Sequence, residues 1–222
     1  MKVLLLFFFS IPSLMFAQSS VDDVEMSDPE ALSILEAIES DFVNNGAHLI
    51  DFEYIVESPG YPKETQKGKL LQSGNSFELG IGSREIISND ETVWVVLKDD
   101  NEVQINDADF GDDGEYLSPS TVFSLYKSKD YVFAVSSNFN EAGQAVTQIE
   151  CKPIDDDSDY SKMRLTVGDK NKDVKRLKIF VKDGSRMTMK INDHKRNVQT
   201  TASNFNFDAS QYPNILIEDL RF

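Results

Sequence analysis

The sequence predicts a mainly β protein of the α+β class, built as a single large antiparallel sheet that curves strongly, with helical segments covering its open mouth. Three observations carry this. From residue 49 onward, short runs of alternating apolar and polar residues are separated by turn residues, the pattern of half-buried strands. One amphipathic helical stretch precedes the runs, and a second, short apolar stretch interrupts them. About ten consecutive antiparallel strands in one domain must curve or close, because a long flat sheet leaves exposed edges.

The elements follow in chain order. MKVLLLFFFSIPSLMFAQSS places Lys2 before an apolar run from Val3 to Phe9 and small or polar residues around Ala17, which reads as a signal peptide over residues 1–17. Ser10, Pro12 and Ser13 cut the run short of the ~20 apolar residues a membrane span requires. Residues 18–222 are then one exported domain, expected to be periplasmic and soluble. After a polar stretch to Ser27, Asp28, Pro29 and Glu30 give a helix start, and Ala31, Leu35, Ile38 and Phe42 recur on one helical face until Asn44-Asn45-Gly46. In LIDFEYIVES, Ile50, Phe52, Tyr54 and Val56 then share one face of a strand and Asp51, Glu53 and Glu57 the other. Similar runs recur over 66–72, 76–81, 86–88 and 92–98, then 131–136, 144–152, 162–167, 174–182, 185–193 and 202–207. The turns include Ser73-Gly74-Asn75, Ser88-Asn89-Asp90 and Lys182-Asp183-Gly184. Between the two groups of strands, Pro119 to Tyr126 reads as a short helix whose Val122, Phe123, Leu125 and Tyr126 require an apolar surface to lie on.

Charge and side-chain chemistry exclude several functions. With 22 Lys+Arg against 38 Asp+Glu and a formal charge of −16, the chain lacks the basic excess of a nucleic-acid reader and is repelled by an anionic membrane. Cys151 is the only cysteine, so no disulfide forms within the chain, and its extended context makes it a small buried apolar residue. His48 and His194 stand far apart without metal spacing and are expected to serve the surface or core. Ser83 in Gly80-Ile81-Gly82-Ser83-Arg84 lacks the second glycine of a nucleophile elbow. The acidic runs 107–114 and 155–159 read as solvated loops, and the first has its glycine at the wrong offset for a calcium loop and lacks the closing glutamate. No enzyme, cofactor or metal site is expected. What remains is an apolar surplus inside a curved sheet, which either fills a core or lines a cavity.

The order of segments adds a resemblance. A signal peptide, an amphipathic helix, a strand with Phe52, a KGK-L strand with Gly68 and Leu70, and an F-x-L strand with Phe77 and Leu79 come first. Ile87, Ser88 and Trp94 of an I-x-S-[ND]-[DE]-x-x-W segment, Val103 of an acidic-polar strand, Pro119 and Phe123 follow. Asp183-Gly184 and a closing Phe205, Phe207 and Pro213 complete the series. This order, over nearly the whole exported chain, resembles the periplasmic outer-membrane lipoprotein carrier family LolA. The resemblance implies an incomplete, open β-barrel whose helices act as a lid over an apolar cavity for lipoprotein acyl chains. It also implies loading by an ATP-driven (ABC) inner-membrane transporter, unloading to an outer-membrane acceptor or the membrane itself, and a monomeric carrier. The family's lid arginine, just before the F-x-L strand, has no counterpart in Leu71 to Ser76. Strand alternation and helix faces offer acyl-chain-binding candidates: Leu35, Ile38 and Phe42 on the helix, and Phe52, Tyr54, Phe77, Leu79 and Trp94 on the first strands. Phe123, Met187 and Met189 complete the set. The alternatives are a hydrophobic-ligand-binding envelope factor of the same fold and a structural β-domain with a filled core.

Overall fold

The computed structural model describes residues 27–108 and 125–221. The expected signal peptide, most of the expected helix at 119–126 with Phe123, and the acidic run beyond Ala108 lie outside the described residues.

Helix α1 spans Pro29–Asn44. Its start is built as the sequence requires: the Asp28 carboxylate accepts from the Glu30 amide at 2.9 Å, and Pro29 occupies a position where no amide hydrogen is needed. Asn45 caps the other end, and Gly46 turns the chain with φ +66°, a left-handed conformation that glycine adopts without strain. Twelve strands follow among the described residues: β1 (Ala47–Glu57), β2 (Glu64–Ser73), β3 (Ser76–Ile81), β4 (Arg84–Ser88), β5 (Thr92–Leu97) and β6 (Glu102–Asp107) form the first group. The second comprises β7 (Tyr131–Glu141), β8 (Gln144–Pro153), β9 (Tyr160–Gly168), β10 (Val174–Val181), β11 (Arg186–Val198) and the short β12 (Leu216–Asp219).

These strands form one sheet in the order β12-β6-β5-β4-β3-β2-β1-β11-β10-β9-β8-β7. Each half is an antiparallel meander, and the halves join where β1 pairs with β11 through two register shifts. The sheet is curved and not closed into a barrel, and among its described pairings only β12 beside β6 runs parallel. This is the mainly β architecture the sequence predicts.

One expectation changes. The run 202–207 is not a strand: Ala202–Phe205 is a 3₁₀ turn. The side-chain oxygen of Asn204 accepts from the Thr201 amide at 2.8 Å, so a side-chain-closed turn outcompetes the extended form. Strand β6, which periodicity alone does not reveal, exists because Val103 and Ile105 pair with Val96 and Trp94 despite their acidic and polar neighbours.

The core lies inside the curve. Ala31, Ile34, Leu35, Ile38 and Phe42 of α1 meet Ile50, Phe52, Leu70 and Phe77 from the first half of the sheet. The same helix face meets Phe133, Ile149, Cys151 and Val167 from the second half. One helix therefore bridges both halves, and each large apolar side chain buried there contributes about 1.5–3 kcal/mol.

Candidate functional site: the inner face of the sheet and its helix

Because strand side chains alternate, β1 sends Ile50, Phe52, Tyr54 and Val56 to the inner face beneath α1. The pairing extends this face across the sheet. Tyr54 lies opposite Met189, Met189 opposite Leu177, Leu177 opposite Leu165, and Leu165 opposite Ile149. In the next row Val56, Met187, Ile179, Met163, Cys151 and Phe133 follow one another. Burial grades along these rows. Phe52 and Ile38 are 1% exposed at the helix seam, whereas Tyr54, Val56, Met163, Leu177, Ile179, Met187 and Met189 are half-buried. The apolar surface thus runs out past the helix. Near the end of β1, a cleft of about 480 Å³ opens among Val56, Pro59, Tyr61, Pro62 and Asp183, and Tyr61 stands 77% exposed beside it.

Of the candidates, Leu35, Ile38, Phe42, Phe52 and Phe77 come together in the seam between α1 and the sheet. Tyr54, Leu79 and Met189 pack against that seam from its margin, and Met187 lies one row further out on the same face. Trp94 does not join them. Leu79 pairs with Ile86 and Ile86 with Val95, so Trp94, opposite Ile87, occupies the other face of the sheet. Its motif marks the tryptophan's place in the chain, but strand parity decides its side.

Polar contacts hold the helix at three points. At its start the Asp28 amide donates to the Phe133 carbonyl at 2.7 Å, and the Phe133 amide donates to Ser27 Oγ at 3.2 Å. Midway, Glu39 accepts from the Tyr126 hydroxyl and the Lys127 ammonium, both at 2.6 Å. Burial and this bond to Glu39 push the Tyr126 hydroxyl up to about 12. At its end Arg196 of β11 donates to both oxygens of Asp41, at 2.8 and 3.0 Å, and to Asp173 at 2.7 Å. Beside this cluster His48 Nδ1 and His194 Nε2 lie 2.9 Å apart, with both rings stacked on Phe42. Burial, with Arg196 and His48 nearby, lowers His194 to about 4, and burial is the main cause of the lowered His48. Sequence reasoning treats the two histidines singly. The one available signal is that the strands bearing them flank the meander's closure, where β1 and β11 pair.

The chemistry of this face is apolar contact. Cys151 is buried and its thiol is pushed by burial up to about 12, as expected of a packing residue. The Ser83 hydroxyl donates to Asp99 at 2.5 Å on an exposed turn.

Comparison with known proteins agrees with this architecture. The family model for the outer membrane lipoprotein carrier protein LolA matches residues 51–208. The chain belongs to the LolA family. A search of curated protein sequences gives no match. Among solved structures, a conserved protein from Thermus thermophilus, described as uncharacterized, superposes with TM-score 0.57 at 11% identity, covering 86% of this chain and 99% of its own. A LolA-superfamily protein from Nitrosomonas europaea gives 0.44 at 14% identity, covering 80% and 98%. The putative outer membrane lipoprotein-sorting protein domain from Vibrio parahaemolyticus gives 0.44 at 12% identity, covering 80% and 96%. At 11% identity the likeness to the Thermus protein is one of fold. Membership of this family suggests periplasmic lipid or lipoprotein binding. Among the described residues, no helix of this LolA-family protein is long and apolar enough to cross a membrane.

Proposed function

We propose that this protein is a non-enzymatic periplasmic carrier, exported by a signal peptide over residues 1–17, that shelters lipoprotein acyl chains between α1 and the inner face of the sheet. It carries them from the inner to the outer membrane. An ATP-driven inner-membrane transporter loads it, and an outer-membrane acceptor or the membrane itself receives the cargo.

The observation that carries this reading is the graded apolar face: sealed under α1, half-buried from Tyr54 through Met189, Met187 and Met163, and ending at the cleft beside Tyr61. Each acyl methylene removed from water contributes about 0.8 kcal/mol, so a chain laid along this face offsets part of the cost of leaving a bilayer. The flexible thioethers of Met163, Met187 and Met189 suit chains of varied shape. In this reading Leu35, Ile38, Phe42, Phe52 and Phe77 form the seam that parts as the helix lifts, and Tyr54, Leu79, Met187 and Met189 line the channel.

The tight packing at Ile38 and Phe52 favours one second reading, a filled β-domain that binds nothing. Native mass spectrometry of the purified protein with a triacylated lipoprotein separates the two. A complex that disappears when the acyl chains are removed, and that weakens in Met189→Glu, is the expected result. No complex with the folded protein refutes the carrier.

A further inference from the structure

The face of the sheet opposite α1 carries a second cavity, about 620 Å³ in volume, over β1 and β8–β11. Its walls include Lys63, Arg164, Arg176, Lys178 and Arg186, with Glu57 as the one carboxylate among the lining residues. Its floor supplies the buried hydroxyl-bearing Thr166 and Thr188 and the amide of Gln148. We propose that this cavity is a binding site for a ligand carrying two or more negative charges in the form of phosphate groups, separate from the acyl-binding face.

The strand register explains the clustering. Thr188 lies opposite Lys178 and Lys178 opposite Arg164, while Arg186 lies opposite Phe180 and Arg176 opposite Thr166. Neighbouring strands are about 4.8 Å apart, so these side chains rise from one lattice of the sheet surface. Phe180 stands at the centre: Arg164, Lys178 and Arg186 place their charges 5.1, 5.5 and 5.9 Å from its ring centroid, and Lys162 adds a fourth at 5.5 Å. In a chain of formal charge −16, such a gathering of like charges is a local reversal of sign whose self-repulsion a polyanion relieves.

Internal carboxylates neutralise part of the group, and Glu150 takes Lys162 at 3.0 Å as well as Arg164. Arg164 Nε is bound to Glu150 at 2.9 Å, Arg176 Nη2 to Glu141 at 2.9 and 3.1 Å, and Lys178 reaches Glu57 at 3.5 Å. Among the described residues Arg186 and Lys63 form no ion pair. Phosphate groups fit this donor set, since guanidinium, ammonium, hydroxyl and amide groups can all donate to their several oxygens. An extended peptide fits less well. The strands beneath the cavity are paired on both sides, so no backbone edge is available there for strand addition.

The test is calorimetric titration of the intact protein with inorganic pyrophosphate at low salt, beside co-sedimentation with phosphatidylcholine vesicles with and without phosphatidic acid. The variants are the double substitution Lys63→Gln, Arg186→Gln, which removes the two cations outside the ion pairs, and Lys170→Gln as a control outside the cavity. Thermal melts establish that each is folded. Pyrophosphate binding that weakens about tenfold in the double variant and is unchanged in the control is the expected result for a soluble phosphate ligand. Sedimentation with phosphatidic acid vesicles alone, lost in the double variant, assigns the phosphate to a lipid headgroup. Absence of both interactions, or binding that survives the double substitution, overturns the proposal.

Discussion

At Gly68 on β2, an added Cβ would lie 2.1–2.2 Å from the ring of Phe52, which crosses its backbone from the paired position on β1. The strand accepts the weak β-former because the phenyl ring occupies the missing side chain's place. Gly68→Ala must therefore displace a ring that is 1% exposed, and a loss of about 1–3 kcal/mol in chemical denaturation is expected. The histidine pair makes a different prediction. Above the ordinary value of 6.5 both histidines are neutral in folded and unfolded chains alike, and they add no pH dependence. As pH falls from 6.5 towards the His194 value of about 4, the unfolded chain binds protons that the buried pair resists, so stability declines over that window. Thermal melts between pH 7 and pH 5 measure this largely before carboxylates such as Glu39 and Glu150 titrate. Despite burial, both are held low, Glu39 by hydrogen bonds from Lys127 and Tyr126 and Glu150 by those from Arg164 and Lys162. A His48→Gln, His194→Gln double variant should show a flatter profile; an unchanged slope would remove the pair as its source.

The element on which the molecule turns is α1, because both halves of the sheet use it to bury their inner faces. Ile38, 1% exposed at the middle of the seam, is expected to cost about 2–5 kcal/mol when replaced by alanine, measured by chemical denaturation. The contacts at the helix ends separate its seating from its packing. Asp41→Asn leaves the apolar seam intact but breaks the charge pairing to Arg196, a loss of about 1–3 kcal/mol. In the carrier reading, this variant should bind a hydrophobic dye more strongly than wild type, since a loosened helix exposes Phe42 and its neighbours. Equal dye binding with lowered stability would show that the Arg196 cluster holds the fold together without governing access. The cluster gives a physical role to β11 and the β9–β10 turn: the cation that fastens the helix end comes from β11, the strand paired with β1.

For the whole molecule, β1 and β11 sit at the centre of the sheet order, with α1 packed over β1, while β12 is an edge strand whose residues are all exposed. Hydrogen exchange should therefore be slowest in β1 and the stretches of β2 and β11 paired with it, and fastest in β12, a gradient readable by mass spectrometry; uniform protection would contradict a single core. The sequence by itself determined the mainly β class, the helix from Pro29, most of the strands at least in part and the inward set Ile50, Phe52, Tyr54 and Val56, because periodicity and caps are local properties of the chain. It also led to the LolA family through the order of its segments. Only the tertiary structure decided that Trp94 faces away from Phe77, that residues 202–205 turn instead of extending, and that His48 meets His194. It alone gathered Arg164, Lys178 and Arg186 around Phe180. The histidine contact depends on the register between β1 and β11, strands distant in sequence, and a one-residue difference there would reverse one face against the other. The side taken by Trp94 and the grouping around Phe180 depend on register between neighbouring strands, and the turn at 202–205 on the Asn204 side chain, none of which periodicity alone fixes.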